Sequence, residues 1–215
     1  DLAALEPLIA LPHSPDAVVP VREVAGTPID QVFIGSCTNG SYLDMARVAA
    51  ILRGHVVPPN ISLCIAPGSR STVVQLSRGG ELADLAESGA RILESACGPC
   101  VGIGQAPRSG GASLRTSNRN FEGRTGTKDA RVYLASAETA AASALRGCIT
   151  DPRTLGAYPK PAWPETLPSD DRMIVPPPED GASVEISRGP NIAPLPVFPP
   201  LDDDIETDVL LVLGD

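Results

Sequence analysis

The sequence predicts an α/β protein with three α/β/α layers and a mostly parallel sheet, followed by an extended proline-rich linker. Apolar residues make up 42% of the 215 residues but aromatic residues only 3%, so the core must consist of Val, Ile, Leu and Ala. This composition suits a parallel sheet covered by helices. After about residue 150 the composition changes, because 13 of the 23 prolines follow. We therefore expect a domain over residues 1–150 and a linker over 151–215.

The first strand–loop–helix unit of this domain places a cysteine in a loop. Residues 31–35 form a short apolar run that ends in glycine, which is typical of a buried strand. Cys37 follows in a turn, and Ser41 is the predicted N-cap of a helix. The N-terminal lead-in, residues 1–28, contains five prolines and is predicted to be irregular.

A third strand leads to two further cysteines. Strands are predicted at 61–66, 90–94, 114–117 and 131–135, and helices at 71–77, 81–88 and 137–146. Cys97 and Cys100 stand in the loop after the strand at 90–94. Loops that follow parallel strands meet at one edge of the sheet, where open α/β folds bind ligands. Cys37, Cys97 and Cys100 can therefore be neighbours in space.

The Cys97-Gly98-Pro99-Cys100 tetrapeptide admits two kinds of chemistry. It is also the thioredoxin active-site sequence, and a dithiol redox or binding module is one interpretation. The flanking Ala96 and Val101 do not match that pattern. With Cys37, the three cysteines suit a [4Fe-4S] cluster with one iron left without a protein sulfur. No other cysteine or histidine stands in a comparable loop to complete a zinc site; the candidates are His13, His55, Cys64 and Cys148.

The polar loop at residues 118–124 is a candidate binding site for carboxylates. Arg119 and Arg124 lie beside Asn118, and guanidinium groups form paired hydrogen bonds with carboxylates. A solvated surface loop is the alternative interpretation.

Charge and cysteine content limit the classes of partner. The net charge of −9 argues against a nucleic-acid surface. No apolar run reaches transmembrane length, so we expect no membrane contact. Five cysteines in a chain of this size favour a reducing compartment, which predicts a cytoplasmic protein.

Four motifs carry a resemblance to a known family. They are Ile-Gly-Ser-Cys-Thr-Asn at 34–39, Ala-Pro-Gly-Ser-Arg at 66–70, Ala-Cys-Gly-Pro-Cys-Val-Gly at 96–102 and Thr-Ser-Asn-Arg-Asn-Phe-Glu-Gly-Arg at 116–124. With them, the sequence resembles the aconitase superfamily of iron–sulfur hydro-lyases. The resemblance covers residues 1–150 as the cluster-bearing third domain, and the tail as the linker to the swivelling fourth domain.

The resemblance implies a role for each motif residue. Cys37, Cys97 and Cys100 would bind the [4Fe-4S] cluster, and Asn118, Arg119 and Arg124 would contact the substrate. In the family, the cluster's open iron binds the substrate while water is eliminated and re-added. The family's serine base belongs to the fourth domain, so we expect no catalytic residue in this segment. The remaining domains of the same enzyme would be partners, and the chain alone is expected to show no hydratase activity.

Within the superfamily, the sequence favours aconitate hydratase, the enzyme of the tricarboxylic acid cycle that converts citrate to isocitrate through cis-aconitate. More than sixty residues follow the helix at 137–146, whereas separate large subunits end soon after it. The segment Gly189–Ile192 and the strand predicted at Val209–Asp215 resemble the start of a fourth domain. The alternative is part of the large subunit of an isopropylmalate dehydratase or homoaconitase.

Overall fold

The computed structural model describes residues 4–169 and 171–200 of the chain. The chain divides into two compact units, residues 1–170 and 171–215. The second unit contains a 3-10 helix, Gly181–Ser183, and its other described residues are in turns or irregular structure. The strand expected at Val209–Asp215 lies outside the described residues, and the domain boundary at residue 150 stays a prediction.

A seven-stranded sheet forms the centre of the first unit. Its order is β2-β1-β7-β6-β3-β4-β5. The five strands from β7 to β5 are parallel, and β1 pairs antiparallel with both β2 and β7. The strands are β1 Leu8–Ala10, β2 Val18–Pro20, β3 Gln31–Gly35, β4 Ser62–Ala66, β5 Arg91–Ile92, β6 Ala112–Arg115 and β7 Arg131–Ala135.

Five α-helices accompany the sheet in the described part of the first unit. They are α1 Val21–Val24, α2 Tyr42–Leu52, α3 Arg70–Gly79, α4 Glu81–Glu87 and α5 Ala137–Arg146. Helices α2 to α5 pack on one face, where Val32, Ile34 and Leu114 belong to the main apolar core. The other face is covered by the segment that contains the 3-10 helix Gly98–Val101. The predicted α/β class with a mostly parallel sheet is confirmed, in an arrangement consistent with three layers.

Local sequence explains why α2 begins where it does. The Ser41 side chain accepts a hydrogen bond from the amide of Asp44, and the Asp44 carboxylate accepts one from the amide of Ser41. This reciprocal capping satisfies two amides that the first turn leaves without partners. The predicted N-cap is therefore confirmed, and with it the short loop in which Cys37 lies.

The prediction that residues 1–28 are irregular was wrong. β1 and β2 form an antiparallel hairpin that extends the sheet beyond β7. Each strand has only three residues, and Pro12 and Pro15 lie in the turn between them. Proline is tolerated at such a sheet margin because few amides there must donate to a neighbouring strand. Among the described residues, no helix is long and apolar enough to cross a membrane.

At the end of β3, the backbone of Gly35 lies very close to the backbone of β4. Gly35 has a φ of +122°, and a Cβ there would overlap the carbonyl oxygen of Ala66. We expect Gly35→Ala to lower the free energy of unfolding by more than about 3 kcal/mol. The overlap adds to the roughly 1–2 kcal/mol that a positive φ costs a residue with a side chain. Urea denaturation followed by circular dichroism measures this loss.

Gly54→Ala is the matched control for this experiment. Gly54 also has a positive φ, +75°, but no described atom lies within 4 Å of a Cβ placed there. It should lose only the roughly 1–2 kcal/mol of backbone strain. Equal losses in the two variants would contradict the claim that contact with Ala66 is what requires glycine at position 35.

Candidate metal centre

The carboxyl ends of the parallel strands bring the predicted site residues to one edge of the sheet. The loop after β3 carries Cys37, and the loop after β5 carries Cys97 and Cys100. The loop after β6 carries the polar segment 116–126. Parallel α/β sheets bind ligands at this edge, where the loops that follow the strands meet.

Close backbone contacts join these loops. The Ser36 amide donates to the carbonyl of Ala66 over 3.0 Å, and the Gly35 amide donates to the Thr116 hydroxyl over 2.9 Å. The Asn39 side chain donates to the carbonyl of Thr116. The loops after β3, β4 and β6 are therefore fixed relative to one another.

Cys37 and Cys97 line the same small cavity of about 70 Å³. All seven lining residues belong to the loops after β3, β4 and β5; they are Ser36, Cys37, Pro67, Gly68, Ser95, Ala96 and Cys97. Both cysteines are exposed and unpaired. The structure thus brings together two thiols that are sixty residues apart in the sequence.

Cys100 lies next to these thiols but is buried. It belongs to the 3-10 helix Gly98–Val101, whose turn is closed by hydrogen bonds from the amides of Cys100 and Gly102 to the carbonyls of Cys97 and Pro99. Burial raises the pKa of the Cys100 thiol, and negative charge on Cys97 and Cys37 raises it further. A hydrogen bond with Ser36 acts in the opposite direction. Ser36 also lines the cavity that Cys37 and Cys97 share, so Cys100 lies beside that cavity.

A polar network holds residues 97–106, the cysteine segment, against the sheet. Gln31 of β3 accepts hydrogen bonds from Ser113 and Arg115 of β6, and its amide donates to the carbonyl of Ala106. The Gln105 side chain donates to the backbone carbonyl of Ser62, at the start of β4. Sequence reasoning missed these anchors. The available signal was the alternation of polar and apolar residues along β6.

The loop after β6 presents the predicted carboxylate-binding residues. Asn118 and Arg119 are exposed, and Arg124 is half-buried with its guanidinium 5.8 Å from the centre of the Phe121 ring. The buried Asn120 amide donates to the carbonyls of Leu11 and Val132, over 2.8 and 3.0 Å. That anchor ties the loop to β7 and to the N-terminal hairpin.

Two observations concern the part of this loop that lies against the cysteine-containing loop. A Cβ at Gly102 would overlap the carbonyl of Thr125, so the two loops are in direct backbone contact. Four buried side-chain atoms in the described part of the chain have no hydrogen-bond partner, and three of them lie in this loop: Ser117 Oγ, Asn120 Oδ1 and Thr125 Oγ1. Buried polar atoms normally find partners, so these three atoms are an unusual feature of the loop next to the cysteines.

The donor set decides which metal group fits. Among the described residues, no three His, Cys, Asp or Glu side chains are close enough to hold one metal ion. A cluster needs a wider arrangement, because each thiolate binds a different iron. Three cysteine thiols at one edge are the donor set that a cluster with one open iron would need.

The remaining candidate ligands lie elsewhere. Cys64 is buried within β4, where burial raises the pKa of its thiol to about 11, and Cys148 forms an isolated antiparallel bridge with Pro28. His55 lines a larger cavity of about 370 Å³ at the C-terminal ends of α2 and α5. That cavity contains no cysteine, so donor chemistry rather than cavity size identifies the site.

The chain is similar in sequence to known proteins of one family. The sequence model of the Aconitase family (aconitate hydratase) matches residues 22–147, more than half of the chain. The chain is 50% identical over 154 residues to 3-isopropylmalate dehydratase large subunit 1 of Methanopyrus kandleri, a match that covers 71% of the chain. It is 44% identical over 156 residues to the homoaconitase large subunit of Thermus thermophilus, covering 72% of the chain.

These relatives are much longer than the aligned region. The matches cover 37% of the Methanopyrus kandleri protein and 37% of the Thermus thermophilus protein, so the chain spans little more than a third of their length. Both are named as large subunits, which favours the alternative interpretation over the expected aconitate hydratase. The family match includes all three predicted cysteines and the loop at 118–124, and the chain belongs to the aconitase family.

Proposed function

We propose that this chain is the cluster-binding part of the large subunit of an iron–sulfur hydro-lyase of the 3-isopropylmalate dehydratase or homoaconitase type. The convergence of Cys37, Cys97 and Cys100 at one sheet edge carries the proposal. When bound, a [4Fe-4S] cluster supplies a Lewis-acidic iron that no protein sulfur occupies. The reaction class is the removal and addition of water on a hydroxy acid.

The residues of this chain would hold the substrate and orient it. Arg119 and Arg124 would bind carboxylates through charge-assisted hydrogen bonds, and Asn118 would lie beside the cluster. Arg124 is held against Phe121, so part of the cost of ordering it is already met in the free chain. The unpartnered hydroxyls of Ser117 and Thr125 provide further hydrogen-bonding capacity in the same loop.

The substrate and the partner follow from the relatives. Their names indicate 3-isopropylmalate or a homoaconitate-type acid rather than citrate, and a second, smaller subunit that would complete the enzyme. A tricarboxylic acid cycle role is therefore not part of this proposal. A cytoplasmic location is part of it, because all five cysteines are unpaired and a reducing compartment preserves thiols.

Anaerobic reconstitution with ferrous iron and sulfide tests the cluster. We expect broad visible absorption and about four irons per chain. Cys37→Ser, Cys97→Ser and Cys100→Ser should each reduce the bound iron, because each removes one thiolate. Iron content and the absorption spectrum are the measurements.

Cys148→Ser is the matched control, since Cys148 lies outside the site and should leave iron uptake unchanged. Equal loss in this variant would contradict the ligand assignment. A colourless wild-type chain with a reversible Cys97–Cys100 disulfide would instead support a dithiol module.

Titration of the reconstituted chain with 3-isopropylmalate tests the arginines. Arg119→Gln and Arg124→Gln should each raise Kd by roughly 10–100-fold, because each removes charge-assisted hydrogen bonds to a carboxylate. Isothermal titration calorimetry provides the values. Arg108→Gln is the control, because Arg108 pairs with Asp30 just before β3, at the opposite edge of the sheet. A matching loss of affinity in the control would refute the assignment.

A further inference from the structure

The most unusual charged group in the described part of the chain is the guanidinium of Arg115. This side chain is fully buried, although it belongs to a strand that ends at the candidate site. Its nitrogens donate to the carbonyls of Pro99 and Gln105 and to the side chains of Gln31 and Ser113. All of these acceptors are neutral.

The charge of Arg115 has no carboxylate partner. Among the described residues, no Asp or Glu comes within ion-pair distance of it. The arginines that do form ion pairs have side chains exposed to solvent. Burial lowers the pKa of Arg115 to about 10, which still leaves it charged at neutral pH. An unpaired buried charge is costly, so a compensating anion is expected next to it.

Two cysteines lie near the guanidinium of Arg115. Arg115 is within electrostatic range of Cys100 and Cys64, and its guanidinium lies 5.5 Å from the centre of the Phe33 ring. Phe33, Cys64, Ala66 and Cys100 form a small apolar cluster on this face of the sheet. Low polarity there strengthens any attraction between the guanidinium and a negative group at the cysteines.

Hydrogen bonding gives the same side chain a mechanical role. Its Nη1 donates over 2.7 Å to the carbonyl of Pro99, one of the two residues between the cysteines of the tetrapeptide. Its Nη2 donates to the carbonyl of Gln105, five residues beyond Cys100. One planar group therefore holds the cysteine segment at two points, Pro99 and Gln105.

We propose that Arg115 is a positioning residue that fixes the Cys97–Cys100 turn and supplies the positive charge that an anionic cluster at the three cysteines requires. The charge role rests on the proposed function, whereas the positioning role concerns the chain without a cluster. Groups that hold the ligands of a metal centre commonly change its affinity by 10–100-fold.

Three measurements on the full chain test the inference, with Arg115→Met as the main variant. In the cluster-free chain, amide hydrogen exchange of Cys100, Gly102 and Ile103 should become about tenfold faster, because the anchor of their turn is lost. In the reconstituted chain, iron transfer to a chelator should become roughly 10–100-fold easier. The reduction potential of the cluster should become more negative, since a nearby positive charge favours the reduced form.

Two further variants separate the effects. Arg108→Met removes a solvent-exposed cation just beyond the cysteine segment and should leave all three readouts unchanged. Arg115→Lys retains the charge without the planar fork, so exchange should be faster while the potential stays near the wild-type value. If Arg115→Met does not fold, Arg115→Gln takes its place, because it also removes the charge but keeps a hydrogen-bond donor.

The possible results test the positioning role and the charge role separately. Unchanged exchange in Arg115→Met and Arg115→Lys overturns the positioning role. A potential that is equal in the wild type and Arg115→Met, or that falls equally in the Met and Lys variants, overturns the charge role. A wild-type chain that takes up no iron overturns the proposed function and the charge role with it, while the exchange measurement still decides the positioning role.

Discussion

The close approach of β3 to β4 at their carboxyl ends is the constraint on which the rest of the site depends. Gly35 can lie against the carbonyl of Ala66 only because it has no side chain. This approach lets the Ser36 amide bond to Ala66 and sends the chain toward Cys37. Thr116 then bonds to both backbone groups of Gly35, which brings in the loop after β6. One steric requirement thus sets the positions of three loops.

Features determined by neighbouring residues could be predicted from the sequence. The strand Gln31–Gly35 and the start of α2 follow from an apolar run, a glycine and a capping serine, all within a short stretch. The placement of Cys37 and Cys97 at one edge also followed, because parallel strands necessarily align their loops. The N-terminal hairpin did not follow, since strands of three residues have little pattern and their pairing with β7 is a contact between distant parts of the chain.

The role of Arg115 illustrates what sequence patterns leave out. The stretch 114–117 was predicted as a strand, but which face each residue occupies depends on register with β3 and β7. Register places Arg115 opposite Phe33, and so under the cysteine segment rather than in solvent. Asn120 is a similar case, because its two acceptors are carbonyls of β7 and of the N-terminal region. Such long-range partners are fixed by the assembled sheet.

The two faces of the sheet are covered through different kinds of interaction. Helices α2 to α5 cover one face through apolar contacts, which are not directional and tolerate small shifts. The other face holds the cysteine segment largely through hydrogen bonds from Gln31, Gln105 and Arg115, which are directional and specify one position. Holding a segment through buried hydrogen bonds costs stability, because every buried polar group must find a hydrogen-bond partner. It is reasonable only where position matters more than stability, as it would for the three thiols of the proposed cluster site, each of which would bind a different iron.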